Sequence, residues 1–157
     1  MKYYLSILSL IGLFGAFSSC ILDTNSPPSV ANYSNLTIEY YLGGGMRPQS
    51  ETIYISNDSA FVRNMDMGEE TIQNWIPEKK EMDDLYQNLI DNSFTQIESM
   101  RESNVYDRGG VVLTITVDGV RTEINDNGNS FIVAKWRDNF SSILQKIMEY
   151  KALKVGE

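Results

Sequence analysis

Cys20 is the sole cysteine in a chain of 157 residues, and there is no histidine. These two facts restrict the chemistry open to the protein. Without histidine there is no Ser-His-Asp or Cys-His relay, no imidazole general base and no ordinary zinc site. One thiol supports neither an internal disulfide, a thiolate metal cluster nor CxxC haem attachment. The sequence also lacks a Walker-type phosphate loop, a dinucleotide glycine fingerprint and a Gly-x-Ser-x-Gly elbow, so it implies no cofactor. Carboxylates, hydroxyls, Lys and Arg remain. Glu81 and Asp84 could be drawn as an acid/base pair, but a polar helical face gives their pKa values no reason to separate. Two loops combine residues suited to recognition. Gly43-Gly44-Gly45-Met46-Arg47-Pro48-Gln49 joins backbone freedom to a cation, and Tyr106-Asp107-Arg108-Gly109-Gly110 joins an aromatic ring, an Arg and paired glycines. Each also has a plainer reading. The first is a wide turn with no helix following its glycines to cradle an anion, and the second is an Asp-Arg pair leading into a strand.

Cys20 stands at the end of an N-terminal pattern. Met1 and Lys2 form a short positive start, Leu5 to Phe17 is an apolar run too short to span a bilayer as a stable helix, and Phe17-Ser18-Ser19-Cys20 closes it. That ending resembles the lipobox of bacterial lipoproteins, with Phe17 where the family prefers Leu, and Ser18 and Ser19 meeting its demand for small residues. The resemblance implies a diacylglyceryl group on the Cys20 sulfur, cleavage just before Cys20 and acylation of the new amino terminus. An ordinary secretory signal would leave Cys20 as a lone thiol in an oxidising compartment. The expected organisation is a signal peptide over 1–19, a lipidated tether over 20–35 rich in Ser, Asn and Pro, and a single domain over 36–157.

Charge narrows the partners. The net charge is −8, from 21 acidic and 13 basic side chains, and the leader carries Lys2 but no acid. An acidic chain without a basic cluster argues against nucleic acid and against electrostatic docking on anionic lipid. Attachment to a membrane then rests on acyl chains, at roughly 0.8 kcal/mol per buried CH₂.

The elements that must position the loops follow from periodicity. Leu36, Ile38, Tyr40 and Leu42 alternate with polar residues, as do Ile53 and Ile55, and Asn57-Asp58-Ser59 supplies a turn before a third strand over Ala60 to Arg63. Met65 to Glu70 reads as an acidic loop and Thr71 to Ile76 as a short strand. Pro77 suits the first position of a helix whose buried face is Met82, Leu85, Tyr86, Leu89 and Ile90. Ser93 to Ile97 reads as extended. Asp118-Gly119 is the favoured turn of a hairpin that sets Val117 opposite Val120, Ile115 opposite Thr122 and Leu113 opposite Ile124, with Thr114, Thr116, Arg121 and Glu123 on the outer face. Asn125 to Asn129 has calcium-loop composition without the ligand spacing, and reads as a turn. A last helix is expected from Ile132 to Lys151, with Trp136, Phe140, Ile143, Leu144, Ile147 and Met148 inward. The fold class is therefore α+β, an antiparallel sheet built from hairpins with two main helices packed on one face.

This order of elements, from Leu36 to Lys151, looks like small domains in secreted or lipid-anchored proteins of Gram-negative bacteria, some of which carry a cysteine in the loop that is Gly43 to Pro48 here. The resemblance implies architecture and location and no activity. The expected role is a lipid-anchored envelope protein, on the outer membrane or the periplasmic face of a membrane, acting as a non-catalytic binding or assembly module for an envelope protein or glycan. The alternative is a carboxylate-based hydrolase or a carbohydrate-binding accessory protein using Tyr40, Tyr41 and Trp75 as sugar platforms.

Overall fold

A computed structural model describes residues 33–45, 48–103 and 108–156. The leader over 1–19, Cys20, Met46, Arg47, Tyr106 and Asp107 lie outside the described residues. The fold is α+β, as the alternating and helical periodicities require. Strands β1 (Leu36–Gly43), β2 (Gln49–Ser56), β3 (Ala60–Asp66) and β4 (Glu69–Trp75) form a meander. Helix α1 (Lys79–Asp91), a short strand β5 (Ser99–Arg101), the hairpin β6 (Gly110–Val117) and β7 (Val120–Asp126), strand β8 (Ser130–Ile132) and helix α2 (Arg137–Val155) complete the chain. The main sheet has six antiparallel strands in the order β4-β3-β2-β1-β6-β7, while β5 and β8 pair separately.

Strand register makes the core. Ile38 pairs with Ile55 and Ile115, and Tyr40 with Ile53 and Leu113, so alternate residues of adjacent strands form apolar rows on one face. Ile38, Ile53, Ile55, Leu113, Ile115 and Ile124 have no exposed surface. Each such side chain contributes about 1.5–3 kcal/mol of transfer free energy. Met82, Leu85 and Leu89 of α1 and Phe140, Ile143 and Ile147 of α2 belong to the same cluster, so both helices cover this face. The hairpin register is the one that its two-residue turn requires, Val117 with Val120, Ile115 with Thr122 and Leu113 with Ile124.

Several local expectations are corrected. Met65 to Glu70 is not a loop: β3 continues to Asp66, Met67 and Gly68 make a two-residue turn at φ 51 and 92, and β4 begins at Glu69. Pro77 lies before the helix, which Glu78 caps. Glu81 completes the capping box by accepting the Glu78 backbone N–H at 2.9 Å. Ile90 turns to solvent, because the buried face of α1 ends with Leu89. Ser93 to Ile97 is not extended; Ser93 adopts a left-handed conformation and Phe94–Gln96 forms a 3-10 turn that sinks Phe94 and Ile97 into the core. The last helix starts at Arg137, since Ser130–Ile132 is drawn into pairing with β5 and Ala134–Trp136 is a 3-10 turn. Thr114 is on the outer face as expected, yet it is buried, with Arg121 donating to its hydroxyl at 3.4 Å.

The packed domain also reaches back beyond Leu36. Tyr33 packs against Tyr86 with tilted rings, centroids 4.5 Å apart, and donates to Asp83 at 3.0 Å. Burial first, then the Asp83 bond, pushes the Tyr33 hydroxyl well above the usual phenol range. Asp118 Oδ1 accepts the backbone N–H groups of Ser34 and Asn35. These three residues, expected in the tether, dock on the domain.

Candidate functional site

The described glycines of the two loops singled out by residue type come together at one end of the sheet. Gly43 ends β1 opposite Gly110, the first residue of β6. Gly44 and Gly109 approach so closely that a Cβ on Gly109 would stand 2.9 Å from the Gly44 carbonyl oxygen. A Cβ on Gly110 would overlap the carbonyl oxygen of Asp126, and the Gly128 N–H donates to the Arg108 carbonyl at 3.1 Å. Thus Gly109 and Gly110 serve close backbone packing, and the turn after β7 joins the cluster. Gly44 and Gly45 also have positive φ, 87° and 75°. Met46, Arg47, Tyr106 and Asp107, named for the same loops, lie outside the described residues.

Arg108 is turned into this end. One of its Nη atoms donates to Asp126 Oδ1 at 2.6 Å and to the Ser130 carbonyl at 2.8 Å, and its guanidinium lies 4.2 Å from the centre of the Phe131 ring. Its Nε is buried without a hydrogen-bond partner among the described residues. Arg108 and Phe131 border a cleft of about 330 Å³ that runs past Arg137 and Ser141 over Ile132, Phe140 and Leu144. Asp126 therefore balances the charge of Arg108, and Arg108 acts first as a clamp between β6 and β8.

The outer face of the sheet carries a second set of exposed and half-buried groups. Tyr54 and Phe61 pair across β2 and β3 with rings nearly parallel, 12° apart and 5.3 Å between centroids, and Arg63 lies 5.5 Å from the Phe61 ring centre. Tyr41 is diagonal to Tyr54 on β1, 41% exposed, and its ring end occupies the space that a Cβ on Gly43 would need. The stacked Phe61 and Tyr54 and, separately, Tyr41 beside Gly43 thus lie on one face of the sheet. Sequence reasoning missed Tyr54 and Phe61. Their alternation with Ile53, Ile55, Ala60 and Val62 placed each outward, but only the register makes them neighbours.

The sugar platform of Tyr40, Tyr41 and Trp75 does not form. Tyr40 is in the core, where burial and then the nearby Glu51 push its hydroxyl up to about 12. Trp75 faces the helices and donates from its indole to the Tyr150 hydroxyl at 3.0 Å. Burial pushes the Tyr150 hydroxyl up to about 12, partly offset by the Trp75 bond and reinforced by the charge of Glu81.

The carboxylates are engaged structurally. Glu81 caps α1, meets Lys154 at 2.5 Å and accepts from Tyr150 at 3.3 Å. Burial alone would raise its pKa, but the Glu78 N–H, Lys154 and Tyr150 outweigh that and hold it below the usual carboxylate range. Asp84 is tied to Lys80 on the solvent side. Glu51 and Lys151 form a largely buried pair at 2.9 Å. A carboxylate held ionised by a cation is a poor proton donor, which runs against the Glu81–Asp84 dyad. Among the described residues no group of three or more His, Cys, Asp or Glu is placed to hold a metal ion, and no helix is long and apolar enough to cross a membrane. A scan against protein-family models and a search of curated proteins give no match to this chain.

Proposed function

We propose that this chain is a lipid-anchored cell-envelope protein, held through an acylated Cys20, whose domain is a non-catalytic binding or assembly module for a protein partner. The observation that carries the binding reading is the outer sheet face, where the stacked Phe61 and Tyr54 and the exposed Tyr41, beside Gly43, share one side of the sheet. Both helices lie on the opposite face. Aromatic groups flanked by an Arg are the residue types enriched where interfaces gain most of their energy. The anchoring reading rests on Lys2, the apolar run and Phe17-Ser18-Ser19-Cys20.

The test has two arms. Full-length protein should take up labelled fatty acid, and Cys20→Ser should abolish the uptake; uptake by the variant refutes anchoring at Cys20. A stoichiometric protein cross-linked to the full-length chain in its own membranes should be lost with Tyr41→Ala and retained with a substitution on the solvent side of α1, such as Gln87→Ala. A partner retained by Tyr41→Ala moves the binding surface elsewhere. Binding of oligosaccharide instead of protein through Tyr41 would favour the carbohydrate-binding alternative.

A further inference from the structure

The cleft of about 330 Å³ between β8 and the start of α2 has a cation in its wall that no described group balances. Its α2 wall is Arg137, Phe140, Ser141 and Leu144, which stand at i, i+3, i+4 and i+7 and so share one helix face. Arg108, Asp126, Phe131 and Ile132 make the other wall. Asp126 is the one acid among the described lining residues, and Arg108 neutralises it at 2.6 Å. Arg137 has neither an ion pair nor a hydrogen bond among the described residues. Most other described cations have a carboxylate partner, as Lys135 has Glu98 and Lys154 has Glu81. Lys146 has none, but shares its groove with Glu81, Asp84 and Glu149.

The place of Arg137 in the fold points the same way. As the first residue of α2 it stands at the positive end of the helix dipole, where a further cation is disfavoured and an anion is favoured. Asp138, beside it in sequence, projects about 100° further round the helix and does not line the cleft. Arg108 also keeps donors in reserve. Its bonds to Asp126 and Ser130 use one Nη, while the other is not buried and has no partner among the described residues.

The rest of the cleft is apolar. Ile132 and Phe140 are each 5% exposed, and Phe131 and Leu144 are half-buried. Two guanidiniums against one carboxylate leave a single positive charge, which matches a monoanion. A phosphate dianion would bring a second negative charge beside Asp126 with no cation left to meet it. The volume is at the small end of ligand pockets, where an apolar lining with a few polar groups is the usual pattern. We propose that this cleft binds a small free organic acid as its carboxylate, with the head at Arg137 and the open Nη of Arg108 and an apolar body over Phe140 and Leu144. Ser141, one turn along α2 from Arg137, offers a hydroxyl to the same head. The site is separate from the outer sheet face and does not depend on the binding role proposed above.

The test follows para-fluorophenylacetate by fluorine NMR with the full-length chain in mild non-ionic detergent, detergent alone being subtracted. The wild-type chain is expected to bind this probe with a dissociation constant of at most about 1 mM, and the matching uncharged alcohol at least about tenfold more weakly. Arg137→Gln removes the unbalanced charge from an exposed position, and Ser141→Glu sets a tethered carboxylate against the same cations. Each variant, with unchanged far-ultraviolet circular dichroism, should weaken probe binding at least about tenfold. If Arg137→Gln unfolds, Ser141→Glu decides. A wild-type chain that leaves the probe signal unchanged, an alcohol that binds as tightly as the acid, or a folded Arg137→Gln variant that binds the acid as tightly overturns the proposal. Displacement of the probe by an equal concentration of inorganic phosphate overturns it as well.

Discussion

Replacing Glu81 tests whether the seam between α1, α2 and β4 is held by hydrogen bonds or by charge. Its carboxylate serves the Glu78 N–H, the Tyr150 hydroxyl and the Lys154 ammonium together, with Glu81 25% and Lys154 21% exposed. Glu81→Ala removes all of these. Loss of the cap contact costs about 1 kcal/mol, the Tyr150 bond about 1 kcal/mol and the partly screened ion pair up to about 1 kcal/mol. Because the terms share one side chain they do not add fully, and about 2–3 kcal/mol is expected in total. Glu81→Gln keeps an oxygen for Glu78 and Tyr150 and loses the charge and the acceptor that face Lys154, so it should cost about 1 kcal/mol at neutral pH. The two variants also differ in pH dependence. The folded carboxyl lies below its unfolded value near 4.5, so its charge contributes stability that is complete above that value and is lost as pH falls through the folded value. The gap between wild type and Glu81→Gln in urea unfolding should therefore narrow as the pH is lowered from neutral through the acid range. A gap that does not change with pH, or a Glu81→Ala variant no worse than Glu81→Gln, would refute this account.

Two further substitutions probe the core and the glycine-rich end. Lys151→Met strands Glu51 in a largely buried position and is expected to cost about 2–4 kcal/mol, while Lys151→Met with Glu51→Leu should return to within about 1 kcal/mol of wild type. Calorimetry of the single and double variants checks both, and a double variant no better than the single one contradicts the assignment. Gly110→Ala drives a Cβ into the Asp126 carbonyl oxygen, a backbone atom that cannot swing aside. It should lose about 1–3 kcal/mol in denaturant unfolding, whereas Gly110 would accept Ala freely if it were only a flexible hinge.

The fold was legible wherever a strand has one buried face. Leu36 to Leu42 and Val111 to Ile124 alternate cleanly, and Asp118-Gly119 fixes register because so few turns fit two residues. β4 gave a weaker signal for the same physical reason: most of it is exposed, so it has no apolar alternation to read. Its turn was hidden as well, since Met67 at positive φ is an unusual residue for a left-handed turn position. Ile132 fits the helical period of Trp136 and Phe140, yet pairing with β5 takes it into a strand. Such pairing is long-range and leaves no local mark. Lys151 read as a basic residue suited to the end of α2, but its partner Glu51 is 100 positions away. At the candidate site the glycines were visible as a composition. That Gly43 and Gly44 meet Gly109 and Gly110 follows only from β1 pairing with β6.

Aromatic residues on an uncovered sheet face have two physical uses, and the strip of Phe61, Tyr54 and Tyr41 separates them. Aromatic and β-branched residues favour extended backbone even without a core to enter, and a stacked cross-strand pair adds about 0.5–1.5 kcal/mol. Tyr54 and Phe61 fit that use, being half-buried against one another. Phe61→Ala should therefore lower stability by about 1–2 kcal/mol whether or not anything binds the face. Tyr41 stands apart from that stack, with its ring end over Gly43 and 41% of its surface in solvent. Tyr41→Ala should shift the unfolding free energy by no more than about 0.5 kcal/mol. If the strip serves recognition, that same substitution should remove partner cross-linking while the protein remains fully folded. A Tyr41→Ala variant that is destabilised as much as Phe61→Ala, yet binds normally, would show the aromatics to be sheet formers and nothing more.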